Sequence, residues 1–378
     1  MKTSAAVLYR MDKTAPYAES RPLEVVDVDL APPELGEVTV EVAYAGLCHS
    51  DLSVINGSRP RVMPMVMGHE ASGVVREVGP GVDELAEDDH VVFSYVPVCG
   101  HCLRCASGRG SLCENGARAN LAGTLLRGGR RFSDGNGSPL NHHLGVSAFS
   151  RFTVAAQESL VKIDEDLPLD IAALFGCAVL TGVGAVANTA QVELGAGVAV
   201  FGLGGVGLSV VLGARAAGAH PIVAVDLVPS KLALAERLGA THTVDAGSQD
   251  PVEAIRAATG GGAGYAFESV GSERVLVQAY EATAIGGMTV PIGLPDPSKQ
   301  FAVPAVSLVA EERTVKGSYM GSAVPRRDVP RFIAMFRAGR LPVDLMLDRT
   351  LDLADINAGF DALEAGEAVR QVVALQAA

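Results

Sequence analysis

The sequence predicts an α/β protein with two domains, an antiparallel β domain followed by a doubly wound, six-stranded parallel sheet. Three observations predict this fold. The chain has 378 residues, more than one hydrophobic core usually organises. Short β-branched segments separated by Gly and Pro fill residues 1–178. From residue 179 onward, strand-like segments alternate with helix-like ones.

The first predicted domain, residues 1–178, shows the two-residue alternation of apolar side chains that antiparallel strands require. Its clearest strand-like segments are EVTVEVAYAG (37–46), SGVVREVG (72–79) and DHVVFSYV (89–96). The Gly and Pro residues between these segments predict long connecting loops.

The second predicted domain, residues 179–321, alternates strands with helices. The predicted strands are VAVF (198–201), IVAVD (222–226), THTV (241–244), GYAFES (264–269), MTVPIG (288–293) and TVKGS (314–318). Between them lie segments such as SKLALAERLGA (230–240), whose apolar residues fall mostly on one helical face. This order is typical of a doubly wound parallel sheet. The tail, residues 322–378, has helical patterns and is predicted to return to the first domain.

The composition excludes several classes of protein. Apolar residues make up 48% of the chain and charged residues 19%, which is typical of a globular protein and not of a disordered one. The formal net charge of -13 offers no basic surface for nucleic acid. The first residues, MKTSAAVLYRMDK, lack an apolar signal core, so we expect a cytoplasmic protein in a reducing compartment.

Two uncharged stretches, residues 171–192 and 197–214, are long enough to imitate membrane spans. The first contains several polar side chains, and the second is interrupted by six glycines. Both features favour buried segments of an α/β domain, so no membrane association is expected.

A glycine-rich segment near the start of the second domain has the spacing of a dinucleotide-binding turn. In such turns the first glycine permits a tight bend, the second lets the backbone approach the pyrophosphate, and the third lets helix and strand pack closely. The following helix N-terminus then faces the anion. The candidate cofactor-binding residues in GLGGVG are Gly202, Gly204, Gly205, Val206 and Gly207.

The glycine spacing also fits an ordinary βα turn, but its context favours a nucleotide. The segment IVAVD ends at Asp226, where an acid accepts a hydrogen bond from a ribose 2′-hydroxyl. Because a carboxylate repels a 2′-phosphate, NAD is favoured over NADP. Lys231 either reaches the ribose or is an ordinary solvated lysine, and the sequence leaves both roles open.

Four of the six cysteines lie in one segment, CGHCLRCASGRGSLC (99–113). Four thiolates satisfy tetrahedral zinc, and a reducing compartment disfavours disulfides. A redox pair requires a CxxC at a helix start, whereas the glycines here predict a loop. An iron–sulfur cluster uses similar ligands, so zinc is favoured and a cluster stays open. The candidate ligands are Cys99, Cys102, Cys105 and Cys113.

The other two cysteines, Cys48 in GLCHSD and Cys177 in FGCAVLTG, lie far apart, with His69 in MGHE between them. A set of two Cys and one His binds zinc and leaves a fourth position for water or substrate. Taken singly, a lone Cys is often a small buried apolar residue and a lone His a core residue. The residue pattern alone does not join these three.

Taken in order, these motifs resemble the zinc-dependent medium-chain alcohol dehydrogenases, close to their classical and glutathione-dependent formaldehyde dehydrogenase branches. The segments that carry the resemblance are GLCHSD, GHEASGVVREVGPGV, CGHCLRCASGRGSLC, FGCAVLTGVGAV and GLGGVG with Asp226. The resemblance implies a GroES-like catalytic domain and a Rossmann NAD-binding domain. It also implies a homodimer or homotetramer whose subunits contact one another through residues 288–309.

The resemblance also implies a catalytic zinc and a structural zinc in each subunit. Cys48, His69 and Cys177 match the catalytic ligands, and the four clustered cysteines match the structural ones. Asp51 matches an acid that orients the zinc-bound histidine. Glu70 matches an acid close behind the zinc, with an ion pair to Arg370 as the alternative.

Further positions match the family near the cofactor and the substrate. His49 and Arg370 match contacts to the pyrophosphate, and Thr181 matches a residue near the nicotinamide. All three are alternatively ordinary polar residues. The residues that match the substrate channel, or else serve only in packing, are Tyr95, His143 and Leu144.

The proton relay departs from the family pattern. Ser50 matches the hydroxyl that accepts the alcohol proton, but Ser53 stands where a histidine completes the relay in the classical enzymes. Serine is no base near neutral pH, so we expect the last step to run through water.

The substrate pattern departs as well. In the glutathione-dependent enzymes that this chain resembles, the loop after the first zinc cysteine carries acidic residues. Here the matching loop reads INGSRPRV (55–62) and carries Arg59 and Arg61 instead. An arginine that follows the fourth structural cysteine in those enzymes is matched here by Ala117, with Arg118 one position later.

The resulting hypothesis is a zinc-dependent dehydrogenase that transfers hydride between a primary or secondary alcohol and NAD. The alternative is a formaldehyde dehydrogenase acting on a thiol adduct. A more remote alternative is a nucleotide-binding protein without catalysis, because a fold alone does not imply function.

Overall fold

The computed structural model describes residues 1–376, which form two compact units. The first unit comprises residues 1–177, 324–330 and the chain from 347 onward, and the second comprises 178–323 and 331–346. The predicted tail, 322–378, is thus divided between the units. The reason is local packing in the second unit, where Val343 and Met346 are fully buried and the Met346 sulfur lies 3.9 Å from the Ser209 hydroxyl.

The first unit is built mainly from β-strands. In chain order they are β1 (Lys2–Leu8), β2 (Leu23–Leu30), β3 (Glu37–Gly46), β4 (Met65–Val66), β5 (Ala71–Val78), β6 (His90–Phe93), β7 (Phe132–Ser133), β8 (Pro139–His142), β9 (Phe152–Ala156) and β10 (Leu160–Ile163). The helices between them are short: α1 (Tyr17–Ser20), α2 (His49–Ile55), α3 (Leu103–Ala106), α4 (Glu114–Ala122) and α5 (Leu169–Ala173).

Five of these strands close a small barrel in the order β1-β2-β7-β8-β4. All neighbouring pairs are antiparallel except β4 and β8, which run parallel. Apolar side chains such as Val7, Phe132 and Leu140 fill its core. The predicted antiparallel β domain is confirmed, with β3 at the predicted bounds 37–46.

The second unit contains a six-stranded parallel sheet in the order β13-β12-β11-β14-β15-β16. Its strands are β11 (Val198–Phe201), β12 (Ile222–Asp226), β13 (His242–Asp245), β14 (Ala263–Glu268), β15 (Thr283–Pro291) and β16 (Thr314–Val315). The first two match the sequence prediction residue for residue. The doubly wound sheet is therefore confirmed.

Helices of the second unit alternate with these strands. They are α6 (Ala178–Gly184), α7 (Gly205–Ala216), α8 (Pro229–Leu238), α9 (Pro251–Thr259), α10 (Glu273–Ala282) and α11 (Ala305–Ala310). A π-helical turn, Ala185–Ala190, follows α6. Helix α9 shows how the sequence starts a helix: the Asp250 carboxylate accepts from two backbone N–H groups, and Pro251 occupies the first turn.

The end of the chain adds α12 (Pro325–Arg337), β17 (Leu347–Asp352), α13 (Ile356–Glu364) and β18 (Arg370–Ala374). Strands β17 and β18 extend the large sheet of the first unit, whose order is β10-β6-β5-β3-β18-β17, with β9 also paired to β3. The helical pattern of the tail was predicted, but these two strands were missed, because β17 is largely exposed and lacks an apolar run.

Within residues 1–376, no helix combines the length and the apolar character that spanning a bilayer requires. The two uncharged stretches considered above are broken into shorter pieces, among them α6, β11 and α7.

Candidate active site

Three separate segments of the first unit bring Cys48, His69, Glu70 and Cys177 together. Their candidate ligand atoms all lie within 4.8 Å of one another, and all four side chains are buried. Cys48 occupies the position before α2, but its thiol makes no capping hydrogen bond. His69 and Glu70 lie between β4 and β5. Cys177 is the last residue of the first stretch of chain, 1–177, that belongs to this unit. The structure thus joins residues that pattern alone could not join.

The chemistry of this cluster fits a zinc ion. His69 Nδ1 lies 2.9 Å from Asp51 Oδ1, whereas its Nε2 atom is buried and has no hydrogen-bond partner among the described residues. The pKa of Cys48 is well below the usual thiol value, mainly because of a hydrogen bond with Cys177 and also because of the nearby His69. An unpartnered imidazole nitrogen and a thiol that ionises readily are the donors zinc prefers.

Asp51 contacts two histidines at once. Its Oδ1 atom lies 2.9 Å from His69 Nδ1 and 3.1 Å from His143 Nδ1, and all three side chains are buried. Burial alone would raise the pKa of Asp51, but the two imidazoles outweigh it and lower that pKa. Because an ionised Asp51 accepts from Nδ1 of His69, it fixes the tautomer that leaves Nε2 free for a metal.

Glu70 forms a buried ion pair with Arg370. Arg370 also donates to the Leu47 carbonyl at 3.3 Å. A Cβ on Gly46 would lie 3.0 Å from the Arg370 guanidinium and 3.1 Å from the Glu70 carboxyl carbon, so this glycine leaves room for the pair. The ion pair is the alternative role considered for Glu70, and a contact of Arg370 with a pyrophosphate stays a prediction.

The second cysteine cluster, Cys99, Cys102, Cys105 and Cys113, also has all its sulfur atoms within 4.8 Å of one another, and none forms a disulfide. The prediction of a loop was wrong at Cys102, which directly precedes helix α3, but the convergence of all four sulfur atoms still favours a metal over a redox pair. The backbone N–H of Gly116 donates to the Cys113 sulfur at 3.3 Å, and Asn115 donates to the Cys99 sulfur at 3.3 Å. A backbone hydrogen bond from Cys105 lowers the pKa of Cys102 to about 6. Such donors stabilise thiolates and fit a closed tetrahedral site.

The glycine-rich turn lies in the second unit between β11 and α7. A Cβ on Gly207 would lie 1.8 Å from the Gly202 carbonyl oxygen, so helix and strand pack as closely as the motif predicts. A Cβ on Gly204 would meet nothing within 4 Å. The turn therefore leaves open space beside Gly204, at the start of α7, where a phosphate group fits.

Asp226 ends β12 and organises the neighbouring loop. Its carboxylate accepts from the backbone N–H groups of Leu203, Leu227 and Val228 at 2.6, 2.8 and 3.0 Å. The side chain is only partly buried, which leaves acceptor capacity for a ribose hydroxyl. Lys231 is largely buried on α8.

The remaining predicted cofactor residues divide between the units. Thr181 lies on α6 of the second unit, and its buried hydroxyl has no hydrogen-bond partner among residues 1–376. His49 is exposed at the start of α2 in the first unit. Their proposed contacts with a cofactor stay predictions.

The predicted substrate and relay residues lie near His69 or on α2. The rings of Tyr95 and His143 pack edge-on against His69, with centroids 5.6 and 5.5 Å away. Leu144 is nearly buried in a left-handed conformation, φ 52°. Ser53 donates to the His49 carbonyl at 2.7 Å, so its hydroxyl proton is engaged by its own helix. Ser50 is partly exposed on the first turn of α2.

Comparisons with known proteins agree with this architecture. The family model for alcohol dehydrogenase GroES-like domains matches residues 34–165, and the one for zinc-binding dehydrogenases matches residues 205–338. An S-(hydroxymethyl)glutathione dehydrogenase from Paracoccus denitrificans is 40% identical over 99% of this chain and 100% of its own. The chain belongs to the zinc-dependent medium-chain alcohol dehydrogenase family.

Other members of this dehydrogenase family are comparably similar. A class-3 alcohol dehydrogenase from Cereibacter sphaeroides is 39% identical over 99% of this chain and 100% of its own. A solved zinc-binding-domain alcohol dehydrogenase from Burkholderia ambifaria has a TM-score of 0.94 and 36% identity, with both chains fully covered. A benzyl alcohol dehydrogenase from Acinetobacter calcoaceticus has a TM-score of 0.92 and 31% identity, again over both full chains. The predicted family and its formaldehyde dehydrogenase branch are confirmed.

Sequence reasoning missed one feature of this dehydrogenase's site. His143 was predicted only as a channel residue, but the structure places it on the same Asp51 oxygen as His69. The tight turn after β8 holds it there, since its backbone N–H donates to the Ser147 hydroxyl at 3.0 Å. No sequence signal links a histidine to an acid 92 positions earlier, because only the pairing of β8 with β4 brings them together.

Replacing Asp51 by Asn is expected to weaken zinc binding and turnover by about 10- to 100-fold. The reason is that an amide no longer holds His69 in the Nδ1-protonated tautomer. Competition with a chromogenic chelator measures the zinc affinity, and steady-state rates measure the turnover. Unchanged affinity in the folded variant would show that Asp51 does not support the metal ligand.

Replacing Gly204 by Val is expected to raise the Kd for NAD by about tenfold or more, because the side chain enters the open space beside the turn. The backbone at Gly204 has φ −72°, which every residue adopts, so the fold should persist. Titration of NADH fluorescence measures the affinity, and circular dichroism checks the fold. Gly207→Ala is the contrasting variant, and we expect it to destabilise the unit. Unaltered NAD affinity in Gly204→Val would exclude the turn as the cofactor site.

Proposed function

We propose that this chain is an NAD-dependent, zinc-containing dehydrogenase that interconverts a CH–OH group and a carbonyl. The observation that carries the proposal is the buried cluster of Cys48, His69 and Cys177, in which the His69 Nε2 atom has no hydrogen-bond partner among the described residues. Oxidation of the CH–OH group releases a hydride and, separately, a proton, and NAD held at the glycine turn, residues 202–207, would supply the hydride acceptor. A zinc ion held by the cluster supplies a Lewis acid that makes the alcohol proton easier to lose.

The chain's own residues have distinct tasks in this proposal. Asp51 keeps Nε2 of His69 available, and Cys48 and Cys177 supply negative charge that holds the cation. Ser50 Oγ accepts the alcohol proton and passes it on. Because Ser53 is no base, water takes that proton at the end of the relay.

The relatives favour a thiol adduct as the substrate. Those at 38–40% identity carry the name S-(hydroxymethyl)glutathione dehydrogenase or class-3 alcohol dehydrogenase. These names support a formaldehyde dehydrogenase that acts on a thiol adduct more than they support a dehydrogenase of free alcohols, which was the main hypothesis from the sequence. We therefore propose an S-hydroxymethyl thiol adduct as the first candidate substrate. A free alcohol is the second candidate. It is favoured because arginines in INGSRPRV replace the acidic residues of the glutathione-dependent enzymes, and because Ala117 replaces their arginine.

A substrate comparison on the zinc-loaded enzyme tests both proposals. NADH formation is followed with formaldehyde plus glutathione, with each of these alone, and with a series of primary and secondary alcohols. Faster turnover of the adduct supports the first candidate, and faster turnover of alcohols supports the second. NADP in place of NAD tests the role of Asp226. No NADH formation with any substrate would refute the dehydrogenase proposal.

We also propose a homodimer or homotetramer in the cytoplasm. The predicted contact region, 288–309, borders strand β16 at the edge of the parallel sheet, and Val306 and Val309 on α11 are 70% and 81% exposed. Apolar exposure of that kind is typical of a surface covered by another chain. Light scattering measures the subunit number, and a monomer at micromolar concentration would contradict the proposal.

A further inference from the structure

Asn120 connects helix α4 to the segment of chain that follows β6. Its side chain is buried, and its Nδ2 atom donates to the Tyr95 carbonyl at 2.8 Å. Because a carbonyl oxygen only accepts, this hydrogen bond fixes the orientation of the amide and turns Oδ1 the other way. That Oδ1 atom is buried and has no hydrogen-bond partner among residues 1–376.

Ser159 has a buried polar atom of the same kind. It ends the 3-10 turn Gln157–Ser159 that follows β9, and its Oγ atom has no partner in the described chain. Its backbone carbonyl accepts from the N–H of Ser94 at 2.7 Å. Ser159 and Asn120 therefore each hold one residue of the dipeptide Ser94-Tyr95, and each retains one buried polar atom that no described residue satisfies.

These two polar atoms face a common space beside Gly145. A Cβ on Gly145 would lie 3.7 Å from Asn120 Oδ1 and 4.0 Å from Ser159 Oγ. Apart from Gly145 and its chain neighbours, no other atom of the described residues lies within 4 Å of that point. Gly145 is buried, and its φ of +67° favours glycine. The turn after β8 thus leaves a small space that an amide oxygen and a hydroxyl line.

A water molecule fits the chemistry of this space better than an ion does. Buried water in proteins is typically held by two to four polar groups that would otherwise be unsatisfied. Water can donate to Asn120 Oδ1 and form a second hydrogen bond with the Ser159 hydroxyl, which both donates and accepts. Two neutral oxygen atoms are too few ligands for a hard cation, and the amide oxygen repels an anion.

We propose that a buried water molecule bridges Asn120 and Ser159 beside Gly145, and that Asn120 is thereby a positioning residue for Tyr95. The hydrogen bonds then form a closed ring, which runs from Tyr95 through Asn120, the water and Ser159 to Ser94. Such a ring satisfies every polar atom named above and restrains the backbone of Ser94 and Tyr95 from two sides.

The ring of hydrogen bonds acts on the candidate active site through the Tyr95 side chain. The Tyr95 ring packs edge-on against His69, with centroids 5.6 Å apart. A fixed backbone at Tyr95 therefore fixes the aromatic surface beside this candidate zinc ligand. Only the kinetic consequence of the proposal rests on the proposed dehydrogenase function, because the water and the position of Tyr95 are measured without turnover.

A high-resolution crystal structure of the zinc-loaded wild type tests the water directly. One water within about 2.7–3.2 Å of both Asn120 Oδ1 and Ser159 Oγ supports the proposal. A direct hydrogen bond between the two side chains, or a space without water density, would exclude the bridge. Ser159→Ala should lower the occupancy of this water, because the variant removes one of its two side-chain partners.

Fluorine NMR of protein labelled with fluorotyrosine measures the position of Tyr95. The chain has seven tyrosines, and Tyr95→Phe identifies the resonance of Tyr95. Asn120→Leu keeps a similar side-chain volume but forms no hydrogen bond, so it should shift this resonance. Ser159→Ala should shift it in the same direction by a smaller amount. A Tyr95 resonance that stays in place in folded Asn120→Leu would overturn the positioning role.

Asn357→Leu is the matched control for a general loss of stability. Asn357 is a buried asparagine in the same unit, but Leu23 satisfies its whole amide: Oδ1 accepts from the Leu23 N–H at 3.2 Å, and Nδ2 donates to the Leu23 carbonyl at 2.9 Å. We expect both Asn→Leu variants to lower Tm, and only Asn120→Leu to shift the Tyr95 resonance. An equal shift in the control would contradict a specific role for Asn120.

Steady-state kinetics add a second readout that a purely structural role does not move. In zinc-loaded Asn120→Leu, KM for the preferred substrate is expected to rise about three- to tenfold, while kcat and zinc content stay near the wild-type values. An unchanged KM in Asn120→Leu, or an equal rise in Asn357→Leu, would count against the proposal. If the wild type oxidises no substrate, the proposed function fails, and the crystal and NMR results still decide the role of Asn120.

Discussion

Replacing Cys177 by Ser is expected to lower turnover by about 1000-fold or more while NAD binding is retained. The substitution removes one of two thiolates from the buried cluster of Cys48, His69 and Cys177, and a catalytic zinc is worth several kcal/mol of transition-state stabilisation. The glycine turn that binds NAD in our proposal lies in the other unit and is untouched. Steady-state rates measure the loss, and NADH fluorescence measures the cofactor affinity.

Metal analysis gives this prediction a readout that does not depend on activity. The wild type should contain two zinc ions per subunit, and Cys177→Ser about one, because its other cluster is intact. A variant that keeps two zinc ions and full turnover would show that Cys177 is no ligand.

Replacing Cys102 by Ser is expected to lower Tm by about 5 °C or more. Four thiolates and one ion fix the loop 99–113, and loss of one ligand releases it, with several kcal/mol of metal binding energy lost from the folded state. Differential scanning calorimetry measures Tm, and metal analysis should again show about one zinc per subunit.

The two Cys-to-Ser variants serve as controls for each other. At temperatures well below both Tm values, Cys102→Ser should retain most of its turnover per folded molecule, whereas Cys177→Ser should retain almost none. A chelator added to the wild type should reproduce both effects. If Cys102→Ser unfolds at the wild-type temperature, the four-cysteine loop is not a structural metal site.

Local features carried much of the sequence prediction. Strands β11 and β12 were predicted at their observed bounds, because buried parallel strands are short apolar runs that end at Gly or Asp. The glycine turn was equally visible, since the close approach of Gly207 to Gly202 tolerates no side chain. Strands β17 and β18 escaped prediction for different reasons: β17 is largely exposed and has no apolar run, whereas β18 pairs with β3, which lies near the start of the chain.

The sequence by itself determined the α/β class, the doubly wound sheet, the clustering of four cysteines within residues 99–113 and the family, because each depends on motifs whose residues are neighbours along the chain. Only the tertiary structure decided that one Asp51 oxygen serves both His69 and His143, and that the His69 Nε2 atom is buried without a hydrogen-bond partner among the described residues. These facts depend on which strands pair and which side chains face one another in space. A local sequence pattern does not specify distances between residues that are far apart in the chain, so these features of the site are determined only by the tertiary fold.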